Sequence, residues 1–371
     1  MRVAHIIDSL GFGGAQTVVK GILESQNLNK DVFLYVLNKR KVEIKVNHPN
    51  SIQFESKSKF ALLNLFKLKN NLIKNKIGVL HCHLFKSQFF GFLLKKFFLP
   101  EIKLIFHEHG KIFLSEQNKI LDEIIYPFFL RLSKNEVNQY IAVSKIIKKK
   151  LVNKCSIKSN KIKVLYNFVD LTKFNKDKYI KIKKLLKIKL RLNNSDFIIG
   201  FAGRLVRRKG WEEYILSAKE ATEEIPNLKF LIAGDGVDRI VLINRINSLN
   251  LNDKLQYLGY TSDMPSLYSV LDLVIVPSHW EPMGLIELEA QAMGVPIIAS
   301  NVPALNEIIK NLDDGLLFEA KNYKDLAKKI IFIYKNSKIR KKIIKNGIKN
   351  AKLYSLNKYM DNLNKIYKGL K

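Results

Sequence analysis

Residues 271–300, LDLVIVPSHWEPMGLIELEAQAMGVPIIAS, decide the fold class. The run at 273–276 is apolar at every position, which is typical of a strand buried on both faces. A short loop carrying Glu281 follows, a helical pattern opens near Gly284 and Leu285, and a second apolar run ends the stretch. A strand, a helix and another buried strand in this order predict a parallel sheet covered by helices.

The same alternation of short β-branched runs and longer helical patterns extends over the whole chain. It predicts strands at VAHIID (3–8), DVFLYVL (31–37), SIQF (51–54), IGVLHCH (77–83), IKLIFHEH (102–109), YIAVS (140–144), IKVLYN (162–167), FIIGFAG (197–203), LKFLIAG (228–234), LQYLG (255–259), LDLVIVPS (271–278), VPIIAS (295–300) and GLLFEA (315–320). The predicted fold class is therefore α/β, with doubly wound, Rossmann-like parallel sheets.

The length of 371 residues favours two such domains, because a single core rarely serves a chain of this size. A lysine-rich stretch between Asp170 and Asn194 separates the two series of strands. We therefore expect one domain over 1–172 and a second over 173–352. The helical segment at 353–371 is expected to pack back on the first domain.

Composition limits the cellular context and the partners. Two cysteines exclude a disulfide scaffold and a four-cysteine zinc site, and they suit a reducing compartment. No signal peptide and no membrane span are expected, so a cytoplasmic location is predicted. The net charge of +31 attracts anionic partners but does not identify them, and no nucleic-acid recognition motif accompanies it.

A glycine-rich turn, SLGFGGAQTVVKGIL (9–23), follows the first predicted strand. Read as a dinucleotide fingerprint it fails, because Gln16 stands where a third glycine or alanine is needed. Lys39 and Arg40 after the second strand suit a 2′-phosphate, which keeps an NADP-dependent oxidoreductase as an alternative. A tight turn without a ligand is a further alternative, although Gly13 and Gly14 favour close approach by some group.

Loops after two strands of the second half carry the charged residues. Arg204 and Lys209 follow one strand, where a guanidinium fork and an ammonium can neutralise a diphosphate. Glu281 and Glu289 flank the start of a helix, and they offer acceptors to a hydroxyl-rich ligand. Taken separately, the two cations also fit a basic surface loop, and two glutamates near a helix start are more often capping or solvated charges.

The order of the segments GRLVRRKG (203–210), IAGDG (232–236) and PSHWEPMGLIELEAQAMGVPII (277–298) resembles the nucleotide-sugar-binding half of the retaining glycosyltransferases of family 4. The first half agrees through GGAQ (13–16), VLHCH (79–83), FHEHG (106–110) and VLYNFVD (164–170). The resemblance covers nearly the whole chain. It implies the two-domain GT-B fold, an interdomain cleft, and transfer of a hexosyl group from a nucleotide-diphosphate-sugar to a glycan or lipid-linked glycan.

The resemblance also implies roles for residues of the second half. Arg204 and Lys209 would bind the donor diphosphate, and Glu289 would accept hydrogen bonds from the ribose. Glu281 would lie beside the transferred sugar. The backbone amides around the helix start would bind the hydroxyls and phosphate of the donor, and they belong to Met283, Gly284 and Leu285.

In the first half, the resemblance assigns His109 to the donor sugar, and His83 and Gln16 to the acceptor side. Gly13 and Gly14 would let the loop approach the donor phosphates. The chain departs from the family pattern at Phe168, where a small residue is frequent, at Met283, where an aromatic is frequent, and at Gln16, which replaces a glutamate. We expect these departures to affect substrate fit.

The resemblance implies no cofactor and no metal, because cations and helix N-termini would serve the diphosphate. The patterns HCH (81–83) and HEH (107–109) place alternate histidines on one face of a strand. Without further ligands nearby, zinc is not expected there.

The segment KSQFFGFLLKKFFLP (86–100) has two interpretations. It is either a core helix of the first domain or a basic, apolar surface in a headgroup layer. The net charge and KIIKKK (145–150) favour the second, which implies peripheral contact with an anionic membrane at its inner face. A sugar epimerase or phosphorylase of the same fold is another alternative to the transferase.

Overall fold

The structure, a computed structural model, describes residues 1–11, 13–26, 29–39, 44–54, 62–110 and 121–370. The chain divides into two compact units. Met1–Phe168 and Leu356–Lys371 form the first, and Val169–Ser355 forms the second.

The described part of the first unit contains a parallel sheet of seven strands in the order β3-β2-β1-β4-β5-β6-β7. The strands are β1 (Arg2–Ile7), β2 (Val32–Val36), β3 (Ser51–Gln53), β4 (Ile77–His83), β5 (Lys103–Glu108), β6 (Gln139–Ala142) and β7 (Ile162–Val164). The helices are α1 (Gly14–Glu24), α2 (Leu62–Lys74), α3 (Phe85–Phe97), α4 (Tyr126–Ser133) and α5 (Lys145–Cys155), with the C-terminal helix Leu356–Lys368.

The second unit contains a parallel sheet of six strands in the order β10-β9-β8-β11-β12-β13. The strands are β8 (Phe197–Ala202), β9 (Leu228–Ala233), β10 (Leu255–Gly259), β11 (Leu273–Val276), β12 (Ile297–Ser300) and β13 (Leu316–Phe318). The helices are α6 (Ile180–Lys189), α7 (Trp211–Glu224), α8 (Arg239–Ser248), α9 (Met264–Val270), α10 (Ile286–Ala292), α11 (Tyr323–Lys335) and α12 (Ser337–Leu353).

Every strand predicted from the sequence is present, and each sheet has the doubly wound order. Both sheets are covered on both faces; β2 and β11, for example, are buried at every position. Burial on both faces is the reason that the strands read as continuous apolar runs. The predicted α/β class is confirmed.

The helix α3 is mainly a core helix. Gly91 lies directly over the sheet, where an added Cβ would come 2.5 Å from Sγ of Cys82. Phe90, Phe92 and Leu94 are also buried. Of the two interpretations of this segment, the core helix describes most of α3, while Phe97 and Phe98 at its end are exposed.

Candidate active site

Three loops meet at the carboxyl edge of the second sheet. They follow β8, β9 and β11, which are adjacent strands, so their carboxyl ends lie side by side. The backbone N–H of Leu205 donates to the carbonyl of Asp235 at 2.9 Å, and that of His279 donates to the carbonyl of Arg208 at 2.8 Å. These bonds tie the loop after β8 to both of its neighbours.

Two glycines allow this close approach. Gly210 has φ +72°, and an added Cβ would lie 1.9 Å from the carbonyl oxygen of Pro277. At Gly234 an added Cβ would lie 1.8 Å from the carbonyl oxygen of Gly203. Any side chain at either position would separate the loops, so the geometry of this edge requires glycine.

Lys209 and Glu281 form an ion pair across two of these loops. Nζ of Lys209 contacts Oε1 of Glu281, and the hydroxyl of Ser278 donates to the same oxygen at 3.3 Å. The Lys209 side chain is 17% exposed and that of Glu281 is 6% exposed. A largely buried ammonium is costly when it is unpaired, so this position favours an anionic partner.

Glu289 lies in α10, with one carboxylate oxygen held by a neighbouring helix. The hydroxyl of Tyr268 donates to Oε2 of Glu289 at 2.9 Å. Burial raises the pKa of Glu289 to about 7. The side chain is 9% exposed, so it can accept from a ligand hydroxyl with its other oxygen.

The remaining predicted residues of the second unit differ in exposure. Arg204 is exposed in the loop after β8, and Met283 is buried. Gly284 and Leu285 immediately precede α10, whose first residue is Ile286. The helix start expected at Gly284 and Leu285 is thus reproduced to within two residues.

Glu287 is a site residue that the sequence reasoning did not single out. It is 1% exposed, and neither carboxylate oxygen has a hydrogen-bond partner among the described residues. The carboxyl group packs on Gly284, where an added Cβ would lie 2.1 Å from Oε2. Burial, and second the charge of Glu281, raise the pKa of Glu287 to about 8. The sequence feature that could have identified Glu287 is a glutamate within the apolar helix pattern of 285–290.

In the first unit, the predicted residues His83 and His109 belong to a ladder of five histidines on one face of the sheet. Nδ1 of His83 lies 3.0 Å from Nε2 of His109, and Nε2 of His83 lies 3.0 Å from Nδ1 of His5. Burial lowers the pKa of His109 to about 3 and that of His83 well below its ordinary value, so both rings are neutral. The other two members are His81 and His107.

The ladder corrects one step of the sequence reasoning. Zinc was not expected because the HCH and HEH patterns had no further ligands nearby. In the structure β1, β4 and β5 are adjacent, and two groups of three imidazoles have ligand atoms within 4.8 Å of one another. The premise that further ligands are missing is wrong.

The glycine-rich turn leads into α1, with Gly13 as the residue before the helix and Gln16 half-buried in its first turn. An added Cβ on Gly14 would meet nothing within 4 Å. Local packing therefore does not require glycine at this position. Arg40, which the NADP alternative invokes, lies outside the described residues.

Phe168 is a packing residue. Its ring fills the space over Gly21 in α1, where an added Cβ would lie 2.5 Å from Cζ, and it contacts the ring of Tyr359 with centroids 4.7 Å apart. The side chain is 7% exposed. The ring of Phe168 thus has a packing role in the first unit, and its effect on substrate fit stays a prediction.

Comparisons with known proteins give one family match in each half of the chain. Residues 12–173 match the family described as Glycosyltransferase Family 4, and residues 182–350 match the family described as Glycosyl transferases group 1. The two matches do not overlap, and each falls mainly within one unit.

Individual relatives span most of the chain. The UDP-Gal:alpha-D-GlcNAc-diphosphoundecaprenol alpha-1,3-galactosyltransferase of Escherichia coli is 28% identical over 313 residues, 83% of this chain and 78% of that protein. The capsular polysaccharide biosynthesis glycosyltransferase CapM of Staphylococcus aureus is 31% identical over 220 residues, 57% of this chain and 56% of that protein.

A solved structure shares the fold of the complete chain. The crystal structure of Anabaena HepE in complex with UDP-glucose superposes with a TM-score of 0.84 over 100% of both chains, at 19% identity. At that identity the likeness shows the fold alone. The two family matches and this fold show that the chain belongs to the glycosyltransferases of family 4, with their two-domain GT-B architecture.

Proposed function

We propose that this glycosyltransferase moves a hexosyl group, with retention of anomeric configuration, from a UDP-sugar to a hydroxyl of a glycan or lipid-linked glycan. The observation that carries the proposal is the Lys209–Glu281 pair at the sheet edge, with Glu289 in the helix that follows. The reaction belongs to polysaccharide or glycoconjugate synthesis, as the names of the Escherichia coli and Staphylococcus aureus relatives suggest.

Lys209 provides the main electrostatic contribution. Its ammonium is paired with Glu281. We propose that the donor diphosphate takes over the ammonium, with the exposed Arg204 as a second cation. Both charges then stabilise the negative charge that develops on the leaving nucleotide, and preorganised charge of this kind is usually the largest catalytic contribution.

The two predicted glutamates recognise hydroxyl groups. Glu289 accepts from the ribose with the oxygen that Tyr268 leaves available. Glu281, released from Lys209, accepts from a hydroxyl of the transferred sugar. The amides of Met283, Gly284 and Leu285 donate to the sugar and the phosphate.

The transfer needs no protein nucleophile. The bond from the anomeric carbon to the phosphate oxygen breaks, and the acceptor oxygen bonds to the same face of that carbon. The departing phosphate accepts the proton of the acceptor hydroxyl, so the products are UDP and the glycoside. Lys209 and Arg204 serve the diphosphate, so no metal and no cofactor take part in this step.

Residues of the first unit complete the assignment. We propose that His109, held as a neutral imidazole by burial, contacts the donor sugar, and that His83 and Gln16 act on the acceptor side. Gly13 and Gly14 leave room for the donor phosphates. The open space at Gly14 supports this assignment, because the fold does not require glycine there.

The choice of UDP rests on proteins of the same family or fold. The Escherichia coli relative is named for UDP-Gal, and Anabaena HepE was crystallised with UDP-glucose. The test is a thermal shift of the chain with UDP, GDP, ADP and NADP. A ligand at about 100 times its dissociation constant adds roughly 2.7 kcal/mol of stability.

We expect UDP to raise the melting temperature, and the shift to disappear in Glu289→Ala but persist in Glu220→Ala, a matched change at an exposed glutamate of the same unit. Stabilisation by NADP alone would overturn the proposal in favour of an oxidoreductase. Release of UDP that depends on an acceptor hydroxyl separates a transferase from an epimerase or a phosphorylase, and NMR of the product gives its anomeric configuration.

We further propose that the first unit docks on an anionic membrane at the inner face of the cell membrane. None of the helices in the described ranges is long and apolar enough to cross a bilayer. An exposed aromatic pair supports docking: Phe66 and Phe98 meet with centroids 5.8 Å apart, and Nζ of Lys69 lies over both rings. Exposed Leu63 and Phe97 extend this surface.

Surfaces that enter a lipid headgroup layer typically combine lysines with exposed aromatic side chains, as this surface does. We expect the chain to cosediment with vesicles of phosphatidylglycerol and phosphatidylcholine at physiological salt. The variant Phe66→Ser/Phe98→Ser should lose most of this binding, while Phe128→Ser, at another exposed aromatic of the same unit, should not. Failure of the wild-type chain to bind these vesicles would contradict the docking proposal and leave the transfer reaction unaffected.

A further inference from the structure

Five of the seven histidines of this chain lie on one face of the first sheet. They come from three adjacent parallel strands, and the register pairs His5 with His81 and His83 with His107. His109 follows β5 on the same face. Four of the five are completely buried, so this is an interior cluster and not a basic surface.

The outer ring nitrogens of three of these histidines already have partners. Nδ1 of His81 lies 2.7 Å from the hydroxyl of Tyr367, and Nε2 of His5 lies 3.2 Å from the same hydroxyl. Nδ1 of His83 lies 3.0 Å from Nε2 of His109. Tyr367 itself is held in the C-terminal helix and is buried.

The inner nitrogens of the same three rings face one another. Nδ1 of His5 and Nε2 of His83 are 3.0 Å apart, and Nε2 of His81 is buried with no partner among the described residues. One ring nitrogen from each of the three histidines lies within 4.8 Å of a ring nitrogen of the other two. When the outer nitrogens carry the protons, three lone pairs converge on one small volume.

We infer that His5, His81 and His83 form a binding site for one divalent transition-metal ion of the zinc class. Ligating imidazoles in proteins almost always donate their second N–H to a neighbouring group, and here Tyr367 and His109 are those groups. Imidazole-only ligation suits zinc, nickel or copper rather than magnesium or calcium. Zinc–nitrogen bonds of about 2.0 Å need ligand atoms roughly 3.4 Å apart, so binding requires the rings, whose ligand atoms lie within 4.8 Å of one another, to adjust toward the ion.

His107 supplies the remaining polar group at the site. Its ring stacks on that of His81 with centroids 5.3 Å apart, and both of its buried nitrogens are without partners in the described part of the chain. A buried polar atom with no partner is costly, and an unlocated ion or water is a common explanation for such atoms. The fourth ligand of the ion would be His107 or a water molecule.

The site has one consequence for the reaction. An ion on Nε2 of His83 leaves Nδ1–H of that ring to donate to Nε2 of His109. The ion would therefore fix the tautomer of His109, the residue assigned to the donor sugar. This consequence rests on the proposed function, whereas the metal site does not.

The test is metal binding by the full chain, without an affinity tag and after chelator treatment and dialysis. With Zn²⁺ alone as the probe, calorimetry should give one ion per chain, and the ion should raise the melting temperature. Co²⁺ in its place should give the visible absorption of a four-coordinate nitrogen site. None of these measurements depends on sugar transfer, so failure of the transfer proposal would not alter them.

The variant His81→Gln should lose more than the roughly 10- to 100-fold typical of losing an outer partner, since a ligand itself is removed. Tyr367→Phe, which keeps the ring but removes the outer partner, should lose about 10- to 100-fold. The control is His48→Gln, at a buried histidine of the same unit outside the cluster, and it should bind as the wild type does.

Absence of a single tight ion in the wild-type chain overturns the inference. Equal affinity in the wild type and His81→Gln also overturns it, because the ion would then be bound elsewhere. Should His81→Gln fail to fold by circular dichroism, Tyr367→Phe decides the matter, and unchanged affinity in that variant counts against the site.

Discussion

Glu287 shows how a single buried carboxyl group affects the candidate site. It lies between Glu281 and Glu289 in sequence, it is 1% exposed, and its oxygens are without hydrogen bonds in the described structure. With its pKa raised to about 8, the group is neutral at pH 7. It therefore does not compete with Glu281 for Lys209 until the solution becomes alkaline.

The raised pKa predicts how stability changes with pH. Between the ordinary value of 4.5 and about 8, the unfolded chain loses this proton and the folded chain keeps it, so stability falls as pH rises. One proton of difference corresponds to about 1.4 kcal/mol per pH unit. Glu287→Gln removes this loss, so we expect the variant to gain stability relative to the wild type from pH 5 to 8.

Urea unfolding of both proteins at pH 5, 6, 7 and 8 measures this difference. Glu220→Gln changes the same charge at an exposed position, and its stability relative to the wild type should stay constant over the range. A difference between Glu287→Gln and the wild type that does not change with pH would mean that Glu287 is ionised in the folded chain at neutral pH.

At Gly14 the effect of a substitution on stability can be measured separately from its effect on donor binding. It is exposed at the start of α1, and a Cβ there meets nothing within 4 Å. Gly14→Ala should leave the free energy of unfolding unchanged or raise it by up to about 1 kcal/mol, because alanine favours the helix. If the donor phosphates approach this loop, KM for the UDP-sugar should rise at least tenfold.

Steady-state kinetics and urea unfolding of the same preparation test both parts. Lys20→Ala, in the same helix and half-buried, is the control for a change that does not face the glycine-rich turn. Unchanged KM in Gly14→Ala would remove Gly14 from the donor site while leaving the fold assignment intact.

Single residues were predicted from the sequence where their spacing carries the information. Glu281 and Glu289 stand at fixed positions around a helix start within a segment that resembles a known family, so both could be named as candidates from the sequence, and their roles stay predictions. Glu287 could not, because its importance depends on burial and on contact with Gly284. The histidine ladder was missed for a related reason, since it forms only when β1, β4 and β5 become neighbours.

At the scale of elements, the candidate active site is an arrangement of loops after adjacent strands. The loop after β8 approaches the loop after β11 so closely that Gly210 touches the carbonyl of Pro277. Lys209 precedes this glycine, and Glu281 follows Pro277 by four residues. The contact between the two loops thus positions the Lys209–Glu281 pair.

A matched pair of glycines tests this contact. Gly210 has φ +72° and Gly259 has φ +73°, but only Gly210 has backbone atoms in the place of a Cβ. Both alanine variants should lose about 1 kcal/mol to the left-handed conformation. Gly210→Ala should lose roughly a further 2 kcal/mol or more, because the loops must separate.

Chemical unfolding and transfer rates distinguish the two variants. We expect Gly210→Ala to lose most of its transfer activity as Lys209 shifts away from Glu281, and Gly259→Ala to keep it. Equal losses of stability would mean that the left-handed conformation is the whole cost at both positions and that the loop contact is unimportant.

For the helix α3, the sequence could not distinguish a core helix from a membrane surface. Its aromatic residues and lysines fitted a core helix and a membrane surface equally well, because a helix apolar on most sides has no distinct polar face. In the structure Gly91 packs closely on the sheet, which identifies α3 as a core helix. Only the end of the helix, at Phe97, remains exposed.

At the scale of the whole molecule, the chain leaves the first unit after Phe168 and returns to it at Leu356. The sequence predicted the two series of strands and a helical end, since these depend on local patterns. What the last helix contacts depends on its amphipathic face meeting a particular sheet. In the structure its buried residues are Tyr359, Met360, Leu363 and Tyr367.

This return predicts that the C-terminal helix stabilises the first unit selectively. Leu363 is completely buried, and truncating a buried leucine to alanine costs about 2–5 kcal/mol. Because Leu363 belongs to the first unit, Leu363→Ala should speed amide hydrogen exchange in β1 and β4, while exchange in β8 and β9 should stay unchanged. A loss of about 3 kcal/mol corresponds to roughly 100-fold faster exchange where global opening of the unit controls it.

Mass spectrometry of peptides from both sheets measures these exchange rates. The control is Asn364→Ala, at the exposed neighbouring position. Equal acceleration in both sheets would mean that the two units unfold together, because the cost of losing Leu363 would then be shared by the whole chain.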